Sequence, residues 1–179
     1  MNAVLRYCLL TVALALLVCA EVVLRLGASA SSDIPRVQLN ADNLGPRQIE
    51  DLTSQSVPRD YAFAWQTMEQ ALDKNQVGVL DGYFTGAAKQ DLKTRVQSQV
   101  KSGIHTHYED QGHKLEALFY APAGDAMQLR DRAQFNVQVL DGDKVVYEEP
   151  VNVEYIVVMT PGADRWLVRE IQAVPGVQP

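Results

Sequence analysis

Cysteine is nearly absent from this chain. Its 179 residues include two, Cys8 and Cys19, and both lie in the apolar start, so the remainder can build neither a disulfide framework nor a thiolate metal site. That absence suits an oxidising compartment and is also compatible with a reducing one. Clustered positive charge is missing too. Lys and Arg number 16 against 22 Asp and Glu, and the tightest basic group is Arg130 and Arg132 around Asp131. With no basic stripe to meet phosphate, a nucleic-acid role is set aside. No catalytic signature occurs anywhere, and no cofactor is expected.

The one long hydrophobic run is at the start, where the uncharged stretch from Tyr7 to Ala20 is extended by Glu21 to Leu26. Two readings of it stay open. As a signal anchor, residues 4–24 form a helix that at about 1.5 Å per residue covers the hydrocarbon core of a bilayer. Arg6 then stays in the cytoplasm, and Glu21 and Arg25 pair at i, i+4 near the outer end. As a cleaved signal peptide, the Ala28-Ser29-Ala30 triplet supplies the processing site, although the long apolar stretch from Glu21 to Gly27 argues for the anchor. Both readings place the following domain outside the cytoplasm. The expected location is the cell membrane, single-pass, or the periplasm or exterior after cleavage near Ala30.

Residues 1–26 are thus read as anchor or signal peptide and 27–57 as a flexible spacer, its apolar residues (Ile34, Val37, Leu39, Leu44, Ile49, Leu52) too sparse for a core. A single domain over 58–174 and a tail over 175–179 complete the chain. Tyr61, Trp65, Met68 and Leu72 recur at helical spacing between Pro58 and Lys74, with Ser56 placed to cap. A short helix from Val77 to Leu80 follows, then Asp81-Gly82-Tyr83-Phe84. Thr85 is placed to cap a third helix with Ala88, Leu92, Val96 and Val100 in line, and Gly103 to end it.

After His105 the period changes to two. Met127 to Leu140 alternates apolar with polar residues, Asp141-Gly142-Asp143 turns it into a strand from Lys144 to Met159, and Arg165 to Val174 supplies the last. Leu115 to Tyr120 is a further strand upstream, and Pro150 suggests a bulge or an edge. The expected fold is α+β: after the membrane helix, three helices packed on a curved antiparallel meander of about four strands.

This order, with Tyr61 and Trp65 on the first helix and the Asp81-Gly82-Tyr83-Phe84 segment after the second, resembles the nuclear transport factor 2-like superfamily, a cystatin-like α+β cone. The resemblance covers residues 57–174 and implies a fold rather than a function. That superfamily includes ketosteroid isomerase, scytalone dehydratase and limonene epoxide hydrolase, and also non-catalytic domains tethered by one N-terminal membrane helix. The tethered type matches this layout. The resemblance further implies a homodimer formed through the sheet face.

Three sets of residues are candidates for chemistry. Asp131 falls on the dry side of the clearest strand, where a carboxylate must be paired, hydrogen-bonded or protonated. As a catalytic group it would take Tyr61 or Tyr83 as hydrogen-bond donor. As a structural one it would pair with Arg165 or Arg169, or sit beside a bulge. His105 and His107 stand two apart at a strand start, on one face and within reach of a shared metal if His113, Glu109 or Asp110 joined them; otherwise each is solvated. Trp65 and Trp166 line either a pocket or the core. The wet face carrying Gln128, Arg130, Arg132, Gln134, Asn136 and Gln138 meets a partner or water. The expected function is a membrane-anchored extracytoplasmic interaction or scaffold domain without catalysis. The alternative is a small-molecule-binding or isomerase- and dehydratase-like domain using the cone interior.

Overall fold

The computed structural model describes residues 34–176. In chain order they form β1 (Val37–Asn40), α1 (Asp51–Asp73), a short 3-10 helix (Val77–Gly82), α2 (Gly86–Ser102), β2 (Ile104–Tyr120), β3 (Met127–Asp141), β4 (Lys144–Pro161) and β5 (Trp166–Ala173). The strands make one sheet in the order β1-β2-β3-β4-β5. Pairing is antiparallel except at β1, which runs parallel to β2. The fold is α+β, as expected, but the sheet is mixed and five-stranded instead of a four-stranded meander.

The additional strand comes from the stretch expected to be a spacer. Val37–Asn40 register with His113–Glu116, and Val37, Leu39, Leu44 and Ile49 pack against the core. Sparse apolar residues suffice because a strand needs one at alternate positions only, and the backbone bonds to β2 supply the rest. The helix α1 likewise starts at Asp51, so Pro58 lies inside it, not in its first turn, and Ser56 is not its cap. Those added turns bury Val57 completely. Burial of that kind stabilises by about 1.5–3 kcal/mol, which offsets the roughly 3 kcal/mol cost of an interior proline.

The core lies between the inner sheet face and the two long helices. Along α1 the buried positions are Tyr61, Ala64, Trp65, Met68, Ala71 and Leu72, a stripe at the i, i+3, i+4 spacing of an amphipathic helix. Asp60 is buried as well. Its carboxylate accepts hydrogen bonds from the Trp166 backbone N–H at 2.8 Å and from Arg59 Nε at 2.9 Å, clamping α1 to the start of β5. On α2, Ala88, Leu92 and Val96 are buried as expected, but Val100 points outward and Gln99 takes its place. Gln99 Nε2 donates to the Leu72 carbonyl, and its Oε1 accepts from Thr106, so a polar side chain is fully paired there. Gly103 ends α2 in the left-handed conformation at φ 69°. Thr85 holds the N-cap position without a side-chain cap bond; its N–H donates to the Val168 carbonyl instead.

The strand β2 starts at Ile104, well before the expected Leu115. Pro150 stands on β4 opposite Asn136, and β5 meets β4 only from Tyr155 onward. The proline therefore sits on a free edge where no neighbour needs its missing N–H. Among the described residues no helix is long and apolar enough to cross a membrane. The membrane segment expected over 4–24, the cleavage alternative near Ala30 and the start of the spacer lie outside the described residues.

Candidate functional site

Asp131 is on the inner face of β3, wholly buried, between Leu115 of β2 and Tyr155 of β4. A carboxylate there needs partners, and it finds them on two other elements. Tyr61, on the buried stripe of α1, donates its hydroxyl to Asp131 Oδ2 at 2.8 Å. His113 Nδ1 meets the same oxygen at 2.7 Å. The other ring nitrogen of His113, Nε2, meets Asp110 Oδ2 at 2.7 Å. The result is a continuous chain Asp110–His113–Asp131–Tyr61, buried along its length and partly buried at its Asp110 end.

A β-bulge makes that chain possible. Asp110 and His113 are three apart on β2, and in a regular strand they would point to opposite faces. The register against β3 shifts between Asp110 and Gly112. One extra residue there turns both side chains inward. Gly112 adopts φ +135°, a conformation that side-chain-bearing residues rarely take. Arg36, just ahead of β1, ties down the bulge, because the His113 N–H donates to its carbonyl at 2.9 Å.

Electrostatics follow from burial and pairing. Burial pushes the His113 pKa down, but the hydrogen bonds and charges of Asp110 and Asp131 outweigh it and raise it to about 9. His113 is thus an imidazolium at neutral pH, donating from both nitrogens. Burial first, then the Asp131 charge, pushes the Tyr61 hydroxyl well up. Glu69, on α1, is raised to about 8 by burial and by the Asp110 charge, with His113 opposing. It is therefore a neutral acid at pH 7.

Tyr61, His113 and Asp131 are shut off from solvent, and the chain reaches it only at Asp110. Trp65 lies over His113 with ring centroids 4.3 Å apart and also packs on Phe135 and Tyr155. On the far side of Trp65 a recess of about 190 Å³ opens between α1, α2 and the sheet, lined among others by Met68, Leu92, Arg95, Tyr108 and Tyr155. Arg95 donates to the Tyr108 hydroxyl at 2.7 Å there. Neither Asp131 nor Tyr61 lines this recess. Asp131 Oδ1 accepts no hydrogen bond, yet nothing gives it access to solvent.

The candidates named from sequence therefore separate. Asp131 and Tyr61 come together, but the partner that balances the charge is His113, not Arg165 or Arg169. Tyr83 stands elsewhere, stacked on Phe63 at 5.7 Å and under the Arg165 guanidinium. His107 faces Asp73 at 3.5 Å, and His113, considered as a third metal ligand with His105 and His107, is committed to the two aspartates. Among the described residues no group of three or more His, Cys, Asp or Glu side chains is arranged to hold a metal ion. Trp65 and Trp166 are both buried in the core. Sequence periodicity missed His113 because the bulge reverses the alternation just before it; the glycine at 112 is the available signal.

No protein-family model matches the chain, and no curated protein matches it. Solved structures do. The intermembrane-space region of chloroplast protein ARC6 superposes with a TM-score of 0.62 at 9% identity, over 72% of this chain and 98% of that one. A Streptomyces avermitilis protein described as belonging to the nuclear transport factor 2-like family gives 0.43 at 10% identity, over 67% and 96%. A Nostoc punctiforme protein described as having a cystatin-like fold gives 0.41 at 12% identity, over 73% and 97%. At these identities the likeness concerns the fold alone.

Proposed function

We propose that this chain presents a non-catalytic interaction module outside the cytoplasm, tethered to the membrane through residues 4–24 or released after cleavage near Ala30. Its working surface is the outer face of the sheet, and its partner is another protein or a second copy of the chain. One observation carries the reading: Asp131, whose Oδ1 accepts no hydrogen bond, is 0% exposed. A general base must reach the proton it takes directly or through one water. Here Asp131 is shut off from solvent, and the polar chain reads as an internal tie between α1, β2 and β3.

The test is photo-crosslinking in intact cells from Gln128 and Gln138 on the outer face, with Lys93 on the solvent side of α2 as control. Discrete adducts from the sheet positions and none from Lys93 support the module. Equal labelling from all three, or none, removes the reading.

A second reading has one observation in its favour. The recess beside Trp65 brings Arg95, Tyr108 and Tyr155 to one small cavity with Asp91 at its wall, a polar and aromatic set able to hold an aromatic ligand through Arg95. Its volume of about 190 Å³ is below the roughly 300–1,000 Å³ of ordinary ligand sites. Calorimetric titration with benzoate and salicylate tests it, since binding that Arg95→Ala abolishes would move the function to the interior.

A further inference from the structure

The bulge that turns Asp110 and His113 inward leaves its mark outside as well. At Gly112 the outer face has no side chain, and a groove of about 370 Å³ opens over it across β1 to β4. That is within the size range of ligand sites. One rung of its wall runs straight across the sheet, with Gln38 beside Lys114, Lys114 beside Arg132 and Arg132 beside Glu154. The next rung is Gly112, Gln134 and Asn152. Arg36 closes the β1 end.

Charge in the groove is unbalanced. Three cations, Arg36, Lys114 and Arg132, line it against one anion, Glu154. Glu154 is already engaged, at 3.2 Å from Arg130 Nε and 3.4 Å from Arg132 Nε, with its side chain only 14% exposed. Arg130 also holds Glu116. Arg36 and Lys114 have no ion-pair partner among the described residues. In a chain of net charge −6, this groove gathers two cations without an ion-pair partner beside a third.

We infer that this groove receives a carboxylate-bearing extended segment of a protein partner, held by Arg36 and Lys114 and aligned by the amides of Gln38, Gln134 and Asn152. The inference rests on the interaction-module reading and names the chemistry of what the module binds. Strands lie about 4.8 Å apart, so four of them span roughly 14 Å, the length of about four extended residues at 3.3 Å each. Side-chain amides offer a donor and an acceptor together, matching a peptide backbone. Glu109, exposed farther along β2, sets the limit beyond which an acidic segment is repelled.

The probe is a fluorescein-labelled peptide with four consecutive glutamates, titrated by anisotropy into the full chain in neutral detergent micelles. A matched peptide with glutamines is the comparison. The expected result is saturable binding that weakens about tenfold or more, equivalent to at least 1.4 kcal/mol, for the glutamine peptide and for the Arg36→Gln/Lys114→Gln pair. Lys93→Gln leaves it unchanged. Arg36→Glu/Lys114→Glu provides a second variant, checked for folding by circular dichroism, and abolishes binding. Equal affinity for both peptides, or equal loss on Lys93→Gln, overturns the inference. So does binding to phosphatidylglycerol vesicles that depends on Arg36 and Lys114 while the acidic peptide stays unbound. If sheet-face crosslinks in cells survive Arg36→Gln/Lys114→Gln, the inference falls and the module stands; if both signals are missing, both fall.

Discussion

His113 Nδ1 and Asp131 Oδ2 lie 2.7 Å apart with both side chains shut off from solvent, so β2 and β3 are joined inside the core by a charge pair. Asp110 on the second ring nitrogen and Tyr61 on the shared oxygen extend its hydrogen bonding, while Asp131 Oδ1 stays unpaired. Removing one partner of such a buried pair leaves a charge uncompensated.

Asp131→Ala is accordingly expected to destabilise the domain by about 3–5 kcal/mol, the range for breaking a buried pair from one side. Tyr61→Phe removes one hydrogen bond to a charged acceptor and is expected to cost about 1.5–3 kcal/mol. Urea unfolding followed by tryptophan fluorescence measures both. Equal, small effects would show that the chain does not hold the core together.

Stability is expected to fall as pH rises from about 6.5 to 9. The folded pKa of His113 is raised to about 9 from an ordinary 6.5, so the folded state binds more protons than the unfolded one in that window. Stability from this group is complete below pH 6.5 and lost through pH 9. The raised pKa of Glu69, about 8 against 4.5, has the same sign between those two values: the unfolded carboxyl ionises first, and the folded form loses ground as pH rises. Unfolding midpoints at pH 6, 7.5 and 9 check this. Asp110→Asn, which removes one support of the imidazolium, flattens the alkaline limb.

Asp60→Ala should cost about 1–3 kcal/mol by leaving the Trp166 N–H unsatisfied in the core. Because Asp60 clamps β5, amide exchange should accelerate first at Trp166 to Val168. Uniform acceleration across the sheet would contradict a local clamp.

Gly112→Ala should destabilise by more than about 1 kcal/mol, since φ is +135° and the added Cβ would meet the Arg36 carbonyl at 3.4 Å. Gly78→Ala, with nothing within 4 Å of the added carbon, should be close to neutral. Thermal melts of the two variants give the comparison directly, and equal shifts would mean that the bulge tolerates side chains.

Much of the fold was legible because it depends on local periodicity. Tyr61, Trp65, Met68 and Leu72 repeat at helical spacing, Met127 to Leu140 alternates, and Gly103 and Gly142 stand where a left-handed residue was required. The dry position of Asp131 followed from the same alternation, and Tyr61 as its donor was among the options. The strand β1 was not legible, since four residues with two partly buried side chains are strand only by virtue of the β2 edge they join.

The amino-acid order alone therefore settled which residues turn inward on each regular element, that Asp131 had to find a partner, and that no thiol chemistry serves the domain. Which partner it found was decided only in three dimensions. A bulge shifts alternation by one residue, and that single step brought Asp110 and His113 to the same side of β2, set His113 in the core, and opened a cationic groove on the reverse face. Pairing of this kind depends on register between strands distant in sequence, which no local pattern encodes.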